Sequence, residues 1–136
     1  GGVYLTVRDD DKDELAPIAK ELHELGFNLY ATPGTADILR SHDVQVTTVY
    51  RINDRKHPDA LDLMRQGDIS FIVNVPTISG GAVRDGNMMR RLAVELNIPF
   101  VTTIRGARME AAAIRALIGK EIIPRKLEVH YDSKFL

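Results

Sequence analysis

Short apolar runs alternate with apolar patterns of helical period along nearly the whole chain, and this alternation restricts the fold more than any other feature. Residues 3–7 read as a first strand. Residues 12–25 read as a helix, because Leu15, Ile18, Ala19, Leu22 and Leu25 recur on one face. Pro17 predicts a loosened first turn and Gly26 a C-cap. A second strand ends near Ala31, a second helix covers residues 36–42, and residues 45–50 form a β-branched third strand. A polar loop over 51–58 leads to a helix that starts at Pro58 and closes at Gly67. Residues 69–75 are almost continuously apolar, which suits a central parallel strand. A glycine-containing loop over 76–85, a helix over 86–96, a strand over 98–103 and an alanine-rich helix over 107–118 complete the series. The tail from about residue 120 receives no element. Strict alternation predicts an α/β fold of three layers: a five-stranded parallel sheet in the order 3-2-1-4-5, helices on both faces, and right-handed crossovers. No repeat or composition shift divides the 136 residues, so one domain over 1–136 is expected.

In such a sheet, ligands bind beyond the carboxyl ends of the strands. Those ends bring Arg8 to Lys12, then Thr32 and Thr35, then Tyr50 and Arg51, then Asn74, Thr77 and Ser79, and last Thr102, Thr103 and Arg105. The segment Ala31-Thr32-Pro33-Gly34-Thr35-Ala36 is the most telling. Pro33 fixes its own φ, Gly34 allows a backbone path closed to other residues, and Thr35 is a good N-cap for a helix starting at Ala36. Two hydroxyls then stand beside free N–H groups at a helix N-terminus, a place that favours anions. Each residue also has a plainer reading. Lys12 can be a solvated first-turn lysine, Arg51 can pair with Asp54, and the Asn74 amide can be satisfied internally. Arg90 and Arg91 can pair with Glu95, and Thr102 can simply end a strand. Together, cations, hydroxyls and an amide on one rim point to a phosphorylated small ligand.

Composition removes other classes. The net charge of −1 gives no field toward nucleic acid or a membrane surface. The absence of cysteine excludes disulfides, thiolate metal sites and thiol catalysis. No apolar run approaches the ~20 residues of a membrane span, and no signal peptide is read. A strand begins almost at once after Gly1-Gly2, so a domain cut from a longer polypeptide is expected. His23, His42, His57 and His130 lack ligand spacing, and the run Asp9-Asp10-Asp11 reads as a solvated helix start, so no metal is expected. No Walker loop and no GxGxxG follows the first strand, and no cofactor is expected.

These motifs, with Val73-Asn74-Val75-Pro76, Arg90-Arg91-Leu92-Ala93-Val94 and Ile98-Pro99, resemble the methylglyoxal-synthase-like fold over about residues 3–119. The likeness is greater still to the carboxy-terminal allosteric domain of carbamoyl-phosphate synthetase large subunits. That resemblance implies a non-catalytic, cytoplasmic regulatory module. Its partners would be the rest of the large subunit, other copies of the chain, and an effector. The effector would be UMP or IMP, with ornithine and N-acetylglutamate as further candidates. It implies that Lys12, Thr32, Gly34, Thr35 and Arg51 hold the phosphate, that Asn74 and Thr77 meet the nucleoside, and that Thr102 is linked to ornithine. Arg51 stands where the bacterial pattern has lysine, Pro76 where it has threonine, and Phe100 where it has tyrosine. The enzymatic relative, methylglyoxal synthase, needs several carboxylates to act on dihydroxyacetone phosphate. Here Lys56-His57-Pro58 and Pro76-Thr77 replace them, leaving Asp85 in the fourth loop. A third reading is an oligomerisation domain with a vestigial site.

Overall fold

A computed structural model gives the architecture, and it describes residues 1–76 and 80–127. The strands are β1 (Gly2–Val7), β2 (Asn28–Ala31), β3 (Thr47–Thr48), β4 (Ile69–Val75) and β5 (Phe100–Val101). The helices are α1 (Lys12–Glu24), α2 (Pro33–Ser41), α3 (Ala60–Arg65), α4 (Gly80–Leu96) and α5 (Ile104–Leu127). All strand pairs are parallel and the order is β3-β2-β1-β4-β5, as the alternation predicts.

Alternation along the central strands builds two cores. Val3, Leu5 and Val7 of β1, with Phe71, Val73 and Val75 of β4, bury against α1, α2 and α5. Tyr4 and Ile72 point the other way, and pack with Ala60, Leu63 and Met64 of α3 and Met89 and Ala93 of α4. Leu15, Ile18, Ala19 and Leu22 form the buried stripe of α1, as their spacing requires. Replacing such a fully buried leucine with alanine costs about 2–5 kcal/mol.

The helix ends follow local chemistry. Gly26 (φ 101°) and Gly67 (φ 82°) lie in the left-handed region just past α1 and α3. Phe27 N–H reaches the Leu22 carbonyl and Asp68 N–H reaches that of Leu63, closing two Schellman turns. At the other end of α3, Asp59 and Asp62 exchange side-chain-to-backbone hydrogen bonds at 3.0 and 2.9 Å, a capping box.

Several boundaries differ from expectation. The helix predicted at Pro58 begins at Ala60, because Asp59 takes the cap. Pro17 does not loosen α1, which runs through it; a 3-10 turn over Asp9–Asp11 precedes Lys12. The edge strands shrink to Thr47–Thr48 and Phe100–Val101, since each has a neighbour on one side only, although Tyr50 still bridges to Asp59. α5 starts at Ile104 rather than residue 107, its first turn held by Gly106 N–H on the Thr103 hydroxyl. α4 starts at Gly80 rather than Gly86, taking in residues expected in a loop. The Arg90 guanidinium lies 5.0 Å over the Phe100 ring, and neither Arg90 nor Arg91 pairs with Glu95 among the described residues.

Candidate functional site

Strand order turns at β1: β2 and β3 lie to one side, β4 and β5 to the other. A cleft of about 360 Å³ opens there, beyond the carboxyl ends of β1, β2 and β4. Lys12, Thr32, Gly34, Thr35, Arg51 and Asn74 all line it. Six residues singled out in sequence therefore share one cavity. Thr77 and Ser79 lie outside the described residues. Thr102, just past the edge strand β5, does not line the cleft.

The α2 N-terminus forms one wall, but not as its sequence suggests. The helix starts at Pro33, and Thr32 is the N-cap, with extended φ and ψ of −67° and 159°. Proline suits that first position, because the N–H it lacks would have no intrahelical acceptor. Ala36 N–H donates to the Thr32 carbonyl at 2.8 Å, closing the first turn. The Gly34 and Thr35 N–H groups, inside that turn, have no acceptor within the helix. Neither threonine hydroxyl caps them. Thr32 donates its hydroxyl to that of Thr6 at 3.3 Å, and Thr35, 1% exposed, accepts from Val7 N–H at 3.4 Å. Thr35 thus ties α2 to β1 instead of capping the helix. Nor does Gly34 serve a special backbone path, since it sits within the helix and not in the left-handed region. Its use is space, because a Cβ there would lie 3.1 Å from Lys12 Nζ.

Charge is distributed around the cavity. The Lys12 ammonium meets α2 at Gly34 from the start of α1, so a cation and a helix N-terminus converge. Arg51 is exposed and makes no ion pair with Asp54 among the described residues. Arg8 also lines the cleft, but its guanidinium is engaged by Asp11 at 2.8 Å.

The remaining wall adds residues with no site signal in the sequence to Asp85, the carboxylate that the sequence does single out. Tyr4, Thr6, Ile52, Asn53 and Met89 line the cleft, as does Asp85 on the first half of α4. Asp85 was expected on a loop; on the helix it accepts Asn53 N–H at 3.2 Å. Burial raises its proton affinity above that of an ordinary carboxyl, and Asn53 and Arg84 oppose this. Burial likewise pushes the Tyr4 phenol well up, helped by Asp85 and Asp59 and opposed by Arg51. Asn74 has room because Gly86 faces it, where a Cβ would stand 2.8 Å from the amide nitrogen. A tyrosine inside a strand reads as core, so only the tertiary fold reveals its place in the cleft.

One cluster escaped the sequence reading altogether. His57, Asp59 and Asp62 bring ligand-type atoms within 4.8 Å of one another, a spacing that could hold a metal ion. The grouping is also explained without one: Asp59 and Asp62 form the capping box, and the His57 ring lies 2.6 Å from Asp62.

Residues 14–102 match the MGS-like domain family. The carbamoyl phosphate synthase large chain, C-terminal section, of Methanocaldococcus jannaschii is 44% identical over 118 residues, or 86% of this chain and 19% of that protein. The same section from Methanopyrus kandleri is 39% identical over 122 residues, 90% of this chain and 22% of that protein. The carbamoyl phosphate synthase large chain of Thermoplasma acidophilum is 41% identical over 112 residues, 82% of this chain and 11% of that protein. The chain thus spans between 11% and 22% of the length of these relatives. With the strand order agreeing and the match covering residues 14–102, the chain belongs to the MGS-like domain family.

Proposed function

We propose that this chain is the regulatory domain of a carbamoyl-phosphate synthetase large subunit and binds a phosphorylated effector in the cleft. The observation that carries the reading is the convergence of the Lys12 ammonium on the α2 N-terminus at Gly34, with Arg51 on the same cavity. N–H groups, a helix dipole and two cations are what a phosphate requires. A nucleoside monophosphate, UMP or IMP, is the preferred effector, because the cleft exceeds a bare phosphate in size and continues to Tyr4, Asn74 and Met89. The effector would adjust carbamoyl phosphate synthesis for pyrimidine and arginine supply in the cytoplasm. The ATP-dependent ligase chemistry would belong to the rest of the large subunit. N-acetylglutamate would use the same cationic cradle through its carboxylates. Ornithine at Thr102 would need a contact outside this cleft.

A lyase acting on dihydroxyacetone phosphate is the second reading, favoured by one observation: Asp85 shares the cavity and holds its proton more tightly than usual. A single carboxylate is poor equipment for moving protons on a triose phosphate. A thermal-shift screen with UMP, IMP, ornithine, N-acetylglutamate and inorganic phosphate tests the first reading, since a ligand that binds only the folded state raises stability by mass action. An upward shift with a nucleotide supports it. No shift with any phosphorylated compound, or production of methylglyoxal that Asp85→Asn abolishes, overturns it.

A further inference from the structure

Two polar side chains in the cleft have no hydrogen-bond partner among the described residues: the Tyr4 hydroxyl and the Asn74 amide. They are 2% and 8% exposed. Tyr4 and Thr6 alternate onto the same face of β1, with Ile72 beside Tyr4 and Asn74 beside Thr6 on β4. The two unpartnered groups therefore lie on one face of the sheet, the face that α3 and α4 cover.

A buried hydroxyl without a partner lowers stability through its desolvation. Packing does not explain it, because a phenylalanine ring would fill the same place among Val49, Met64, Ile72 and Met89 without that cost. Tyr4 itself lines the cleft, together with Asp85 and Arg51. A phenol with its ordinary value of 10.0 is protonated at neutral pH and burial only raises that value, so the group is a hydrogen donor.

Position along β1 says what it could meet. Thr35, at the phosphate cradle, is bonded to Val7 N–H. Tyr4 lies three residues back along the strand, roughly 10 Å at about 3.3 Å per residue. A bare phosphate does not span that separation; a phosphate carrying a sugar and a ring does.

We propose that Tyr4 is a specificity-determining residue of the effector site, its hydroxyl donating to a carbonyl oxygen or ring nitrogen of a nucleoside monophosphate whose phosphate lies at Lys12 and Gly34. The assignment rests on the effector reading above and narrows it. The site selects phosphorylated ligands that carry a hydrogen-bond acceptor at the far end, and holds a sugar phosphate less tightly.

Tyr4→Phe in the full 136-residue chain tests this, because it removes one oxygen and keeps the ring. UMP, IMP, ribose 5-phosphate and inorganic phosphate are titrated calorimetrically into both proteins, and melting is measured without ligand. UMP or IMP should bind the variant roughly five- to tenfold more weakly, as loss of a net hydrogen bond implies. Ribose 5-phosphate and phosphate should bind both proteins alike. The variant alone should melt at the same temperature as the parent or higher. Equal nucleotide affinity in both proteins overturns the assignment to Tyr4 and leaves the effector reading standing. A uniform loss for all ligands, or a lowered melting temperature without ligand, overturns it in favour of a structural hydroxyl. Failure of both nucleotides to bind the parent overturns the effector reading and this one with it.

Discussion

A Cβ on Gly34 would stand 3.1 Å from Lys12 Nζ, so the first turn of α2 is left open where the lysine of α1 arrives. Gly34→Ala should therefore separate folding from binding. Alanine is the better helix former by up to about 1 kcal/mol, and the ammonium is the flexible end of its side chain, so the melting temperature should hold or rise. The displaced ammonium should weaken binding of a phosphorylated ligand roughly fivefold or more. Denaturant melts beside a UMP titration check both halves.

Thr35 and Thr32 should respond unequally to loss of the hydroxyl. Thr35→Val leaves Val7 N–H without its side-chain acceptor in a buried place and should cost about 1–2 kcal/mol. Thr32→Val should cost less than about 0.5 kcal/mol, because its hydroxyl makes no cap and among the described residues bonds only Thr6, which can turn to cleft water. Urea unfolding of the two variants gives the ranking directly.

Asp85 should weaken the ligand-free fold as pH rises. Its folded-state proton affinity is raised by burial, so folding is favoured below the ordinary carboxyl value of 3.8 and loses that contribution as pH climbs through the raised value. Asp85→Asn should thus melt higher than the parent at pH 7 and alike near pH 3. The amide oxygen can still accept Asn53 N–H, which keeps the comparison clean.

The His57–Asp62 contact should contribute in a defined window. Its hydrogen bond with Asp62 raises the His57 pKa above 6.5, and that bond, with the Asp59 backbone, lowers the Asp62 pKa below 3.8. The His57 contribution is complete below pH 6.5 and fades as pH rises through the raised value. The Asp62 contribution is complete above pH 3.8 and fades as pH falls through the lowered value. The difference in melting temperature between the parent and His57→Gln should be greatest between those limits and shrink on either side.

The sheet order, both core faces and the gathering of Lys12, Thr32, Thr35, Arg51 and Asn74 were legible because they depend on alternation and on strand ends. The start of α2 was not. Pro33 suits a turn as well as a first helical residue, and only the extended φ and ψ of Thr32 show that the cap falls three residues before Thr35. Gly80-Gly81 reads as a breaker, which moves the expected start of α4 to Gly86 and puts Asp85 on a loop, whereas the helix runs from Gly80 and carries it. Tyr4 was invisible as a site residue, because a strand tyrosine has the same pattern whether its hydroxyl is paired or faces a cavity.

The central claim is that the cleft holds a nucleoside monophosphate with its phosphate at Lys12, and calorimetric titration of UMP and IMP into the parent and Lys12→Ala tests it most directly. A ligand of roughly 20 non-hydrogen atoms at about 0.3 kcal/mol each reaches about −6 kcal/mol, or tens of micromolar. Loss of a charge-assisted contact should weaken this roughly tenfold or more, and added salt should weaken the parent, since Arg51 is exposed. The account predicts binding by the parent at tens of micromolar and a clear loss in Lys12→Ala, measured at a temperature where both proteins remain folded. Absence of binding below millimolar for both nucleotides, or equal affinity in Lys12→Ala, would contradict it.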